Sequence, residues 1–262
     1  MLRQKAVAMN EHSSSRGKDA GSPRRDDDGN HIHNEILRDL PSKEFDGLAS
    51  KLEFVRLQAH QVLHEAGDTI KSAYFCNSGM FSVLSIMPDG KSVEVRLVGK
   101  EGFLGVPLVA GFRTSHTRGV VQVEATAFRI DAAHFRAALR QSPKLERQAQ
   151  RYSQLAALQV TQIAACNRLH EVEERLARWL LMTHDRFGSD RLPLTQDFLA
   201  QMLGTRRSTV TIAAGILQKA GLIEHTRGNT AILDRQGLEQ AACDCYEQLQ
   251  RQIREWQSQN DD

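Results

Sequence analysis

The sequence predicts an α+β chain: an N-terminal jelly roll, one long helix and a C-terminal winged helix-turn-helix. Three observations predict it. From about residue 52 to 130, apolar residues recur at every second position and glycines separate the runs. From Ser142 to Leu169 the period lengthens to three and four. Beyond Leu194 come two short helical patterns joined at Gly204, then two short β patterns joined at Arg227-Gly228-Asn229.

The N-terminal extension, residues 1–33, carries little to bury. Residues 11–33 are rich in Ser, Gly, Asp, Arg and His, so their ordering entropy has no apolar burial to offset it, and disorder is expected. Met1–Asn10 has Arg3 and Lys5 but no apolar run, so no secretory signal is expected. His31 and His33 alone do not make a metal-binding tract.

Residues 34–140 form the predicted β-roll. A short helical stretch (Ile36, Leu37, Leu40, Phe45, Leu48) precedes it. The strands follow around Phe54, Val62, Tyr74-Phe75 and Phe81–Met87, then Val93-Val95-Leu97 after the Pro88-Asp89-Gly90 turn. The last runs from Val121 to Ile130, and Asp131 is placed to cap a short helix to Leu139.

Residues 141–170 read as a long helix entered at Ser142-Pro143. Its stripe of Leu145, Tyr152, Leu155, Gln159, Ile163 and Cys166 fits a helix pairing with a second copy of itself. Packing on its own domain is the alternative.

Residues 171–240 carry the DNA-reading pattern. Thr195 can cap a helix that buries Leu199, Met202 and Leu203, and Gly204 supplies the turn. Thr205 is placed as the second cap, before a helix burying Val210, Ala213, Ala214 and Leu217. Arg207 and Thr211 share the opposite face, with Arg206, Ser208 and Thr209 in the first turn. Such a helix sets its N-terminal residues against base edges in the major groove, and Arg227 at the hairpin tip can reach a phosphate. A last helix, capped by Asp234, is expected to run to about Trp256, so residues 241–262 form a helical extension.

Composition narrows the function classes. The 262 residues carry 34 Lys and Arg against 32 Asp and Glu, a net charge of +2, and residues 195–233 hold four basic against two acidic side chains. Affinity for DNA must then come from a dimer and specific contacts. No run is long enough to span a membrane, and Cys76, Cys166, Cys243 and Cys245 show no disulfide framework, which suits a reducing cytoplasm. No nucleophile–base pair, phosphate-cradling loop or zinc motif points to an enzyme. Cys166 and His170 stand four apart on one helix face, whereas Cys243 and Cys245, two apart on a continuous helix, face different directions. No metal site is expected.

This order of domains, with Arg175–Leu181, Gly221-Leu222-Ile223, Glu65-Ala66-Gly67-Asp68 and Ser78-Gly79, resembles the Crp–Fnr superfamily of transcription regulators over about residues 36–240. The resemblance implies a cyclic-nucleotide-binding-like β-roll, a homodimer on an inverted repeat of double-stranded DNA, and contact with RNA polymerase. It implies a base-reading slot at Arg207 and phosphate slots at Arg206, Thr195 and Gln196. It places the effector pocket around Glu101, Phe103, Arg113, Arg118 and Thr161. Members that bind cyclic AMP use Gly-Glu for the ribose and Arg-Ser for the phosphate. Here Phe103 takes the glutamate's place, and Ser115-His116-Thr117-Arg118 surrounds the phosphate slot. Cyclic AMP is therefore not expected as effector. Nor is an iron–sulfur cluster, which needs four grouped cysteines. The rival expectation is an effector-binding module that acts through protein contacts rather than DNA.

Overall fold

Period-two patterning builds the first half of the chain into one antiparallel sheet. The computed structural model describes residues 24–26, 28–226 and 228–258. Two short helices, α1 (Glu35–Arg38) and α2 (Ser42–Ala49), lead into β1 (Glu53–Leu57), β2 (Val62–His64), β3 (Ser72–Ile86), β4 (Ser92–Val98) and β5 (Phe103–Leu104). A 3-10 turn, Val106–Leu108, precedes β6 (Arg118–Asp131). The strand order is β1-β6-β3-β4, with β2 also on β6 and β5 also on β3. Phe75 pairs with Phe128, and the register of β3 against β6 shifts at Cys76/Ser78, Ser78/Met80 and Met80/Phe81. Such bulges bend the long strands and let one sheet curl into a roll.

Residues 24–26 and 28–33 correct the expectation of disorder. Ile32 is buried, Arg24 donates to the Leu37 carbonyl at 2.9 Å, and its guanidinium lies 4.7 Å from the Phe45 ring centroid. Composition missed two asparagines that secure the segment by hydrogen bonds. Asn34 donates to the carbonyls of Cys76 and Gly102, and Asn77 accepts from the His33 amide at 2.7 Å. Residues 1–23 lie outside the described residues.

Helix α3 (Ala132–Gln141) is capped by Asp131, which accepts from the Ala133 amide at 2.7 Å. Helix α4 (Pro143–Leu169) follows, with Ser142 at its N-cap donating to Glu44 rather than capping through its side chain. The predicted pairing stripe of α4 lies inside its own chain. Leu145, Tyr152 and Leu155 join Phe75, Phe103, Phe128, Phe135 and Trp256 in the main core. Ile163 packs with Met80, Leu97, Met182 and Leu249, and Cys166 with Cys243 and Cys245. Gln159 is buried too. Period alone shows that a face is covered, not what covers it; here the β-roll and the C-terminal helix cover it. Gln154, Ala157, Leu158, Thr161, Ala164, Ala165 and Arg168 remain exposed on α4.

The C-terminal unit comprises α5 (Val172–Phe187), β7 (Arg191–Leu192), α6 (Gln196–Leu203), α7 (Arg207–Lys219), β8 (Ile223–Thr226) and β9 (Asn229–Ile232). Its sheet has the order β7-β9-β8. Then come α8 (Arg235–Ala241) and α9 (Cys245–Ser258). These two replace the single helix expected after Asp234. The helix breaks at Ala242, whose backbone is extended (φ −78, ψ 150), so Cys243 and Cys245 do not share one helical frame.

A buried polar network crosses from the β-roll to α5. Ser82 donates to Glu94 at 2.6 Å, Trp179 Nε1 donates to the same carboxylate at 2.8 Å, and Gln122 reaches Thr183. Burial pushes the Glu94 carboxyl up to about 7, against the hydrogen bonds from Ser82 and Trp179.

Candidate nucleic-acid interface

The hydroxyl of Thr195 accepts the Phe198 amide at 3.2 Å and starts α6, as its sequence position suggested. Gly204 ends that helix in the left-handed region (φ 60), where its N–H returns to the last turn of α6. Thr205 does not cap the next helix. Its amide closes the turn onto the Ala200 carbonyl at 3.0 Å, and the cap position falls one residue later at Arg206, with α7 starting at Arg207. Val210, Ala213, Ala214 and Leu217 turn inward on α7.

The outward face of α7 carries Arg207, Ser208, Thr211 and Ile212. Arg207 Nη1 lies 3.2 Å from Asp197 Oδ2, and the two side chains are 65% and 70% exposed. An ion pair that open to water is weak and easily exchanged for another acceptor. Thr211 donates to Gln196 Oε1 at 2.9 Å, tying the two helices at the outer surface.

Two grooves flank the helix start. One, of about 710 Å³, is lined by Thr195, Gln196, Asp197, Arg207, His225, Thr226 and Gly228. Burial holds His225 below its usual pKa, which favours a neutral ring beside that groove. The other, of about 800 Å³, lies between the β3–β4 turn (Gly90, Lys91, Ser92) and Gln201, Thr205, Arg206 and Thr209. Thr195, Gln196 and Arg207 are thus brought together, and Thr205, Arg206 and Thr209 beside them. Arg227 lies outside the described residues. No local pattern singles out Lys91, and Ile212, an apolar residue off the buried stripe of α7, is 66% exposed.

Comparison with known proteins gives this surface its context. Residues 174–241 match the family model of the Crp-like helix-turn-helix domain, and residues 54–142 match that of the cyclic nucleotide-binding domain. The chain belongs to the Crp–Fnr superfamily of transcriptional regulators. Solved structures agree on the fold. A structure described as a Crp/Fnr-family transcriptional regulator from Eubacterium rectale superposes with a TM-score of 0.65 at 16% identity, covering 80% of this chain and 98% of that one. The c-di-GMP responsive global regulator CLP of Xanthomonas campestris gives 0.62 at 16% identity, covering 73% and 99%. FixK2 from Bradyrhizobium japonicum gives 0.63 at 12% identity, covering 73% and 98%. No curated protein matches the chain in sequence. No helix among the described residues is long and apolar enough to cross a membrane.

The effector residues expected from the Crp–Fnr resemblance do not converge. Phe103 is wholly buried, its ring centroid 5.1 Å from that of Tyr152. Glu101 is buried against Arg186 of α5. Arg118 pairs with Glu65 at 2.7 Å, Arg113 is exposed, and Thr161 faces outward on α4. No hydrogen bond or ion pair joins any two of these five among the described residues. The close approach of Tyr152 explains the filling: a Cβ on Gly102 would collide with its ring. Glycine spacing located the loop, but side-chain size decided what occupies it.

Proposed function

We propose that this Crp–Fnr chain is a sequence-specific DNA-binding regulator that acts as a homodimer on an inverted repeat and contacts RNA polymerase. The observation that carries the reading is the exposed start of α7. Arg207, Ser208 and Thr211 stand clear of the core there, above a groove whose other wall is the hairpin. Arg207 reads a base, while Arg206, Thr195 and Gln196 hold phosphates. The second copy pairs along the exposed face of α4, where Ala157, Thr161 and Ala164 are small enough for close helix approach.

The β-roll exerts control through a ligand other than cyclic AMP, or through none. A buried Phe103 offers no ribose acceptor, and Glu101 is already engaged. Selection of bound duplexes from a random pool tests the central claim. An enriched two-fold repeat is expected; a pool that stays random after repeated rounds would refute it.

A further inference from the structure

Cys166 and His170, at the end of α4, meet Cys243 and Cys245, from the break between α8 and α9. Their four donor atoms (three sulfurs and one ring nitrogen) all lie within 4.8 Å of one another. Cys166 Sγ is 3.4 Å from Cys243 Sγ, and Cys245 Sγ is 3.6 Å from His170 Nδ1. A tetrahedral ion with thiolate bonds of about 2.3 Å sets its ligands about 3.8 Å apart, the scale found here. An iron–sulfur cluster interposes several atoms between its terminal ligands and would spread them further.

Three details go beyond cysteines packing as small apolar groups. The ring nitrogen of His170 points at a sulfur. Gln162 Nε2 donates to Cys245 Sγ at 3.1 Å, the kind of outer hydrogen bond that orients a metal-bound thiolate. Two buried arginines, Arg175 and Arg178, form no ion pair among the described residues, and each has an unpartnered Nε. Arg178 lies within electrostatic range of Cys166 and Cys243, and Arg175 of both thiols as well. Three thiolates around a divalent ion leave one net negative charge, set beside two buried arginines that form no ion pair among the described residues.

We infer that Cys166, His170, Cys243 and Cys245 form a closed Cys3His site for a zinc-class divalent ion. The break at Ala242 frees Cys243 and Cys245 to turn toward one point. His170 is the C-cap of α4 and Glu171 the N-cap of α5, so the ion staples the junction between the long helix and the DNA-reading unit to the C-terminal helices. The inference stands independently of which DNA sequence is read.

The full chain, carrying no polyhistidine tag and purified under reducing conditions without chelator, should contain one equivalent of zinc by elemental mass spectrometry. Cobalt(II) added to the stripped, reduced protein should give intense thiolate charge-transfer bands and the visible bands of a tetrahedral ion. Cys245→Ser should abolish stoichiometric uptake, while Cys76→Ser, buried in the β-roll, should leave it intact. Gln162→Ala keeps all four ligands and should weaken zinc binding roughly 10–100-fold in chelator competition, a readout that survives if a cysteine variant misfolds. Reduced wild-type protein that takes up neither zinc nor cobalt overturns the site. So does a cobalt spectrum unchanged in folded Cys245→Ser.

Discussion

Glu101, in the turn between β4 and β5, accepts from Arg186 of α5 through Nε at 3.0 Å and Nη2 at 2.8 Å. Both side chains are nearly sealed from water, at 9% and 5% exposure. The pair spans the seam between the β-roll and the DNA-reading unit. A buried pair of this kind adds little net stability over apolar packing, yet breaking it on one side strands a charge at a cost of roughly 3–5 kcal/mol. Glu101→Ala should therefore lower the unfolding free energy by about that much. Adding Arg186→Leu should restore more than half of the loss. Urea denaturation of the two singles and the double checks it; strictly additive losses would show that the charges are not coupled.

Glu94 makes stability depend on pH in the opposite direction from an ordinary surface carboxylate. Its folded value of about 7 lies above the ordinary glutamate value of 4.5, so the native state binds a proton more tightly than the unfolded chain. The contribution is fully present below about pH 4.5 and disappears as pH rises through 7. A shift of this size corresponds to at most ~3 kcal/mol. Glu94→Gln removes the titration, so its stability relative to wild type should rise between pH 5 and pH 8. Parallel urea curves at the two pH values measure this. An identical difference at both would place the Glu94 titration outside that window.

Local chemistry was easier to read in the sequence than mutual placement. Thr195, Gly204 and Asp131 each act within a few residues of themselves, and the structure keeps all three in the expected roles. The stripe on α4 was visible, but its cover was not. The Tyr152–Trp256 ring contact joins residues far apart in the chain, which no local period encodes. The pairing of Glu101 with Arg186 and the meeting of Cys166 with Cys243 are hidden for the same reason. Thr205 shows a smaller version of the effect: it belongs to the turn, its amide on the Ala200 carbonyl, and the cap position lies one residue later.

The exposed face of α4 yields a prediction about assembly. With Leu155 and Ile163 committed to the core, charge placed on them should disrupt folding rather than pairing. Ala157→Glu with Ala164→Glu should instead put like charges into the seam between two folded copies. Sedimentation should show a folded monomer, its circular dichroism unchanged. Operator affinity should fall because two half-sites are no longer linked. An intact dimer in the double variant would move the interface off this face.

Arg207 and Arg206 should separate the two kinds of contact that a recognition helix makes. Arg207 shares the outward face with Thr211, and its only ion-pair partner among the described residues is the exposed Asp197. Loss of a bidentate base contact costs roughly 1–3 kcal/mol, so Arg207→Ala should weaken the selected operator by that amount and relax preference at one base pair per half-site. Asp197→Ala should not reproduce that relaxation, because the carboxylate only holds the guanidinium while DNA is absent. Arg206, at the cap position beside the second groove, should act on phosphate. Arg206→Ala should weaken all duplexes alike and make the dependence of affinity on salt shallower by about one ion per half-site. Binding titrations on the operator and on single-base variants, each at several salt concentrations, distinguish the two. If Arg206→Ala relaxed sequence preference while Arg207→Ala changed only the salt slope, α7 would sit in the groove rotated from the orientation argued here.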